Sequence, residues 1–80
     1  MILMSTSTGL ASQDILERAT RFFGPGGLGL DLVERRPCRI CFEGGGGYVT
    51  VSLAETDGRV TVDVEAREWE HHARGFLGRL

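Results

Sequence analysis

The sequence predicts an α+β fold, a four-stranded antiparallel meander with an N-terminal and a C-terminal helix packed on one face as a two-layer sandwich. Three observations carry this expectation. Between Tyr48 and Glu65, apolar and polar residues alternate on both sides of Asp57-Gly58, the strongest short-range signal for a β-hairpin. Two further alternating segments precede it, at Leu28–Val33 and Cys38–Glu43. Apolar residues at helical spacing occur once before the strands and once after them.

The first helix is expected over Ser12–Phe23. Ser12 is a candidate N-cap, and Asp14 and Glu17 suit the positive end of the helix dipole. Ile15, Leu16, Ala19, Phe22 and Phe23 share a face, Asp14/Arg18 and Glu17/Arg21 are i,i+4 pairs, and Gly24-Pro25 stops the helix. Leu28, Leu30 and Leu32 then make the inward side of a first strand. Glu34–Pro37 is expected to turn the chain. Cys38, Ile40 and Phe42 make the inward side of a second strand. Gly44–Gly47 reads as a loop, because four glycines lose much backbone entropy in regular structure.

The hairpin restricts its own register. A two-residue turn places Leu53 opposite Val62 and Val51 opposite Val64, and a four-residue loop places Leu53 opposite Val60. A three-residue loop would put Leu53 against Thr61 on the wrong side of the pleat, so the apolar pattern excludes it. The last helix is expected to begin near Ala66. Its apolar stripe is Trp69, Ala73, Phe76, Leu77 and Leu80, with Trp69 anchoring it to the sheet and Gly75 and Gly78 weakening its end.

Eighty residues, 41% apolar and 25% charged, describe one small globular domain, 1–80, rather than a disordered chain. Residues 1–9 are expected to be a flexible tail. No apolar run approaches the roughly 20 residues of a membrane span. Met1–Met4 lacks the basic region and long apolar core of a secretory signal, so a cytoplasmic location is expected. The two cysteines are too close in sequence to staple a small secreted fold. A core this small favours completion by a second copy.

Composition removes several function classes. All nine basic residues are arginine, which excludes a Schiff-base lysine and the lysine of a phosphate-binding P-loop. There is no asparagine, hence no N-glycosylation site. A net charge of −2 argues against phosphate-driven binding of nucleic acid. The order of elements is similar to that of the double-stranded RNA-binding domain. That family's last helix begins with lysines, whereas Ala66-Arg-Glu-Trp-Glu-His-His72 is more acidic than basic, so no nucleic-acid partner is expected.

Four constellations invite a chemical interpretation. Cys38 and Cys41 form a C-x-x-C, and with His71 and His72 they complete a Cys2His2 count for zinc. On a strand, however, residues three apart face opposite ways, and adjacent residues on a helix diverge by about 100°. One cysteine is therefore expected in the core and the other on the outer face. Gly24–Gly29 matches G-x-G-x-x-G, but with a helix before it and a strand after it, the reverse of a dinucleotide site. Gly44–Gly47 offers backbone for an anion, and Glu65, Glu68, Glu70 and His71 offer acid/base groups without a nucleophile.

The functional expectation is a non-catalytic protein-interaction or self-associating module that needs no cofactor and has neither membrane nor nucleic acid as a partner. Its contact surface is the uncharged patch of the open sheet face, Thr50, Ser52, Ala54 and Thr61. A metal- or small-ligand-binding domain built on Cys38 and Cys41 is the alternative.

Overall fold

A computed structural model describes all 80 residues. The element order is β1 (Ile2–Thr8), α1 (Ser12–Phe23), β2 (Asp31–Arg36), β3 (Arg39–Gly44), β4 (Gly47–Thr56), β5 (Arg59–Arg67) and α2 (Glu70–Leu77). The strands form one antiparallel sheet in the order β1-β5-β4-β3-β2. The α+β class and the meander hold, with five strands instead of four.

The added strand is the segment expected to be a tail. Ile2, Met4, Thr6 and Thr8 of β1 lie opposite Ala66, Val64, Val62 and Val60 and share their inward face, while Leu3, Ser5 and Ser7 point outward. Such alternation in a run of β-branched and small residues suits an edge strand. β1 and β2 run in the same direction at opposite edges, so their connection must cross the sheet, and α1 supplies the crossover.

The β4–β5 hairpin takes the two-residue register, with Leu53 opposite Val62 and Val51 opposite Val64. Asp57 and Gly58 both have positive φ, 53° and 77°, which matches the twist of the flanking strands. The stretch Gly44–Gly47 is not a loop. Gly44 and Gly47 pair within the β3–β4 ladder, and only Gly45 and Gly46 turn, again with positive φ. A side chain at Gly47 would meet the Arg67 carbonyl oxygen, and one at Gly45 would meet the Trp69 ring. Glycine is needed here for close approach as well as for turning.

Two boundaries differ from expectation for hydrogen-bonding reasons. Leu28 and Leu30 donate their N–H groups to the Phe22 and Phe23 carbonyls at the end of α1, at 3.0 and 2.9 Å, so the first meander strand starts only at Asp31. It continues through the expected turn to Arg36, and Pro37-Cys38 makes the reversal. At the other end, Val64–Arg67 stay in the ladder, where Ala66 pairs with both Ile2 and Val49. Glu68, with φ 69°, breaks the strand, and α2 begins at Glu70 rather than near Ala66. The N-cap of α1 is Ala11; Ser12 lies inside the helix and its hydroxyl donates to Glu55 at 3.3 Å. Of the two expected i,i+4 pairs only Glu17–Arg21 closes, at 3.8 Å.

Both helices pack on one face of the sheet. α1 lies over β3 and β4, and α2 over β5 and β1. Sixteen buried residues form one core, with Phe23 in its middle. The Phe23 ring is 5.6 Å from Phe42 on β3 and 5.2 Å from Phe76 on α2, so a single side chain ties both helices to the sheet. Trp69 adds a second tie. Its indole N–H donates to the Gly44 carbonyl at 2.8 Å, which pins the start of α2 to the β3–β4 turn.

Phe23→Ala is expected to cost about 3–5 kcal/mol in urea denaturation, as for other fully buried phenylalanines; a loss well under half of that would mean that Phe23 does not bridge the layers. Trp69→Phe keeps an aromatic side chain but removes the donor together with part of the indole's packing. It is expected to cost at least about 1 kcal/mol, and a neutral result would mean that neither the Gly44 contact nor the indole packing is stabilising.

Candidate functional site

The helix-free surface of the sheet is the candidate site. Thr50, Ser52 and Ala54 follow one another on the outer side of β4, and Thr61 lies directly opposite Ala54 on β5. Thr50, Ser52 and Thr61 are half-buried and Ala54 is exposed. The four residues proposed from the sequence therefore share one surface. β1 enlarges that surface, because Ser5 and Ser7 extend it past β5, opposite Asp63 and Thr61. These two serines fell in the supposed tail; the alternation in Ile2–Thr8 is the signal that could have placed them.

Around this centre the polar side chains are paired. Tyr48 donates to the Glu65 carboxylate at 2.6 Å, a diagonal contact between neighbouring strands. Towards β2, Thr50 Oγ1 lies 3.5 Å from Cys41 Sγ, and the thiol lies 3.7 Å from Glu34. Glu34 is held in turn by Arg36 at 2.7 Å and Arg39 at 3.8 Å. The surface thus has a short uncharged patch, bordered towards β2 by paired charges and on β5 by the exposed Asp63, which lies between Ser52 and Ser5.

The cysteine–histidine alternative is not assembled. Cys38, expected in the core, sits exposed in the β2–β3 turn. Cys41 points outward as expected for one of the pair, yet it is buried beneath its neighbours on the outer face. His71 is exposed and His72 half-buried on α2, with His72 beside Trp69 at a ring separation of 5.4 Å. Trp69 caps the Gly44 end of β3, whereas Cys38 lies at the Arg39 end, roughly 20 Å away at about 3.3 Å per strand residue. Cys41 is separated from α2 by the sheet itself. No three His, Cys, Asp or Glu side chains gather closely enough to hold a metal ion.

A shallow cleft of about 310 Å³ opens between the helices, lined by Arg18, Arg21, Phe22, Phe76, Arg79 and Leu80. The Arg79 guanidinium sits 5.3 Å above the Phe22 ring, a cation–π contact. It covers part of the aromatic cluster that the helices leave uncovered. The Gly24–Gly29 segment is occupied with turn hydrogen bonds, Gly27 and Gly29 both donating to the Gly24 carbonyl at 3.0 Å.

No known protein-family model matches the chain, and no curated protein is significantly similar to it. No helix is long and apolar enough to cross a membrane.

The Tyr48–Glu65 bond raises the phenol pKa above its ordinary value of 10.0, first through the hydrogen bond itself and then through desolvation and the carboxylate charge. A raised pKa in the folded state means that the contribution is complete below pH 10.0 and is lost as pH rises through the elevated value. The stability difference between wild type and Tyr48→Phe is therefore expected to be constant at neutral pH and to shrink in alkali. Denaturation curves at stepped pH check this, and a difference that widens in alkali would contradict it.

Proposed function

We propose that this chain is a non-catalytic interaction module that works as a homo-oligomer and presents the outer face of its sheet as a contact surface. The observation that carries this reading is the uncharged patch of that face, Thr50, Ser52, Ala54 and Thr61, continued by Ser7 opposite Thr61. Small neutral side chains lose little side-chain entropy on contact, and Asp63 is the unpaired charge at the patch that a contact must pair or leave wet. The bordering groups, Glu34 with Arg36 and Arg39, and Tyr48 with Glu65, are already satisfied and can form a polar rim.

The charge pattern supports a protein partner over a polyanion. The outer face interleaves Asp63, Glu65, Glu34 and Glu43 with Arg36, Arg39, Arg59 and Arg67, so a phosphate backbone would meet no continuous basic stripe there. With only 19 of 80 residues buried, the chain also has a thin core that gains from covering more of its surface.

Sedimentation of untagged protein over a wide concentration range tests the reading. A dimer or higher oligomer is expected at high micromolar concentration, and a monomer throughout would end the self-association proposal. Ala54→Arg places a long charged side chain at the centre of the outer face, and it is expected to weaken a partner held on that face by at least about tenfold. An unchanged affinity would move the contact elsewhere on the molecule.

A further inference from the structure

The two edges of the sheet are built very differently. β2 carries the devices that keep strange strands away: a bulge between Leu32 and Glu34, three consecutive charges in Glu34, Arg35 and Arg36, and Pro37 immediately after it. β1 has none of these in its own residues, and the one charge at its free edge is the Arg59 guanidinium at its Thr8 end. Its seven residues, Ile-Leu-Met-Ser-Thr-Ser-Thr, have no charge, no proline and no bulge, and they pair with β5 in unbroken register on one side only. Leu3 is 72% exposed on this strand. At the Thr8 end, the Arg59 side chain donates to Ser7 Oγ at 3.1 Å and to the Ser7 carbonyl at 3.3 Å, which braces the strand in its extended form.

We propose that β1 is the site at which a second copy of this chain attaches, antiparallel, to make one continuous sheet of ten strands. This rests on the self-association reading alone and names the β1 edge as the place where the copies meet, leaving the outer face for a different protein partner. Strand addition draws its affinity from main-chain hydrogen bonds, which an edge strand presents in a row. A two-fold axis makes the contact isologous. The one antiparallel alignment that keeps all seven residues paired is centred on Ser5. It sets Ile2 against the partner's Thr8, Leu3 against the partner's Ser7, Met4 against the partner's Thr6, and Ser5 against its own counterpart. Every opposed pair lies on the same side of the pleat, so inward residues stay inward. No like charges oppose each other, which is why an identical chain is the fitting occupant. The α2 helices, which cover β5 and β1, then come together on one side, and the two outer faces join on the other.

Ser5 is exposed, so charged substitutions there leave the core untouched. Because Ser5→Glu also faces Asp63 of its own β5, circular dichroism of each variant checks that the monomer still folds. Ser5→Lys and Ser5→Glu each set like charges across the axis and are expected to raise the dimer dissociation constant at least about tenfold. An equimolar mixture of the two is expected to regain association, and Ala54→Arg is expected to leave this dimer in place. Sedimentation of wild type, the three variants and the mixture gives the answer. A wild-type dimer that ignores the Ser5 charges, or a mixture that does not recover, overturns edge pairing while self-association stands. A wild type that is monomeric at every concentration overturns both.

Discussion

The register of β4 against β5 is the constraint on which the molecule depends. With Leu53 opposite Val62 and Val51 opposite Val64, one face of the central hairpin becomes continuously apolar. A slip of one residue would turn those side chains out and bring Thr50, Ser52 and Thr61 into the core. Both helices are then committed to the same face, because it is the only surface able to receive Ile15, Leu16, Phe23, Ala73 and Phe76. The outer face is left bare as a consequence of the same choice.

Two side chains convert this sheet into a closed structure. Phe23 reaches both Phe42 and Phe76, and Trp69 hydrogen-bonds across the β3–β4 turn. They act at different places. Phe23 fills the space between the helices and the sheet, while Trp69 sets where α2 begins and covers a turn that only glycine can make. The helix layer spans β1, β5, β4 and β3 and leaves β2 overhanging. That overhang is why Leu32, which faces inward by its pairing with Phe42, remains 41% exposed.

The same geometry explains the asymmetry of the edges. β2 projects beyond the helices and is guarded by a bulge and by charge. β1 lies beneath α2 and is free of charge, proline and bulge in its own residues, with only the Arg59 guanidinium at its Thr8 end. An unguarded edge is normally a liability for aggregation, and a sheet that protects one edge so thoroughly has reason to leave the other free. The proposed function draws on the small uncharged patch of the outer face and the further inference on the β1 edge, both on the β1 side of the β2 border.

Period-two alternation around Asp57-Gly58 is a local property, so the hairpin, its inward valines and one of its two permitted registers were legible in the residues themselves. The extent of α1 and its stop at Gly24-Pro25 were legible for the same reason, since 3.6-residue periodicity and backbone restriction act within a few residues. The outward placement of Thr50, Ser52, Ala54 and Thr61 followed from the alternation. The role of Met1–Thr8 was not legible, because a short edge strand forms only when a partner strand is present to take its hydrogen bonds, and that partner, β5, is some sixty residues away. Tertiary contacts likewise decided the late start of α2, the tight turn at Gly45-Gly46 and the separation of Cys38 and Cys41 from His71 and His72. Sequence alone determined which residues alternate and which face they share. Only the assembled sheet decided which strand stands at each edge, because edge position depends on pairing between distant segments and leaves no mark in local periodicity.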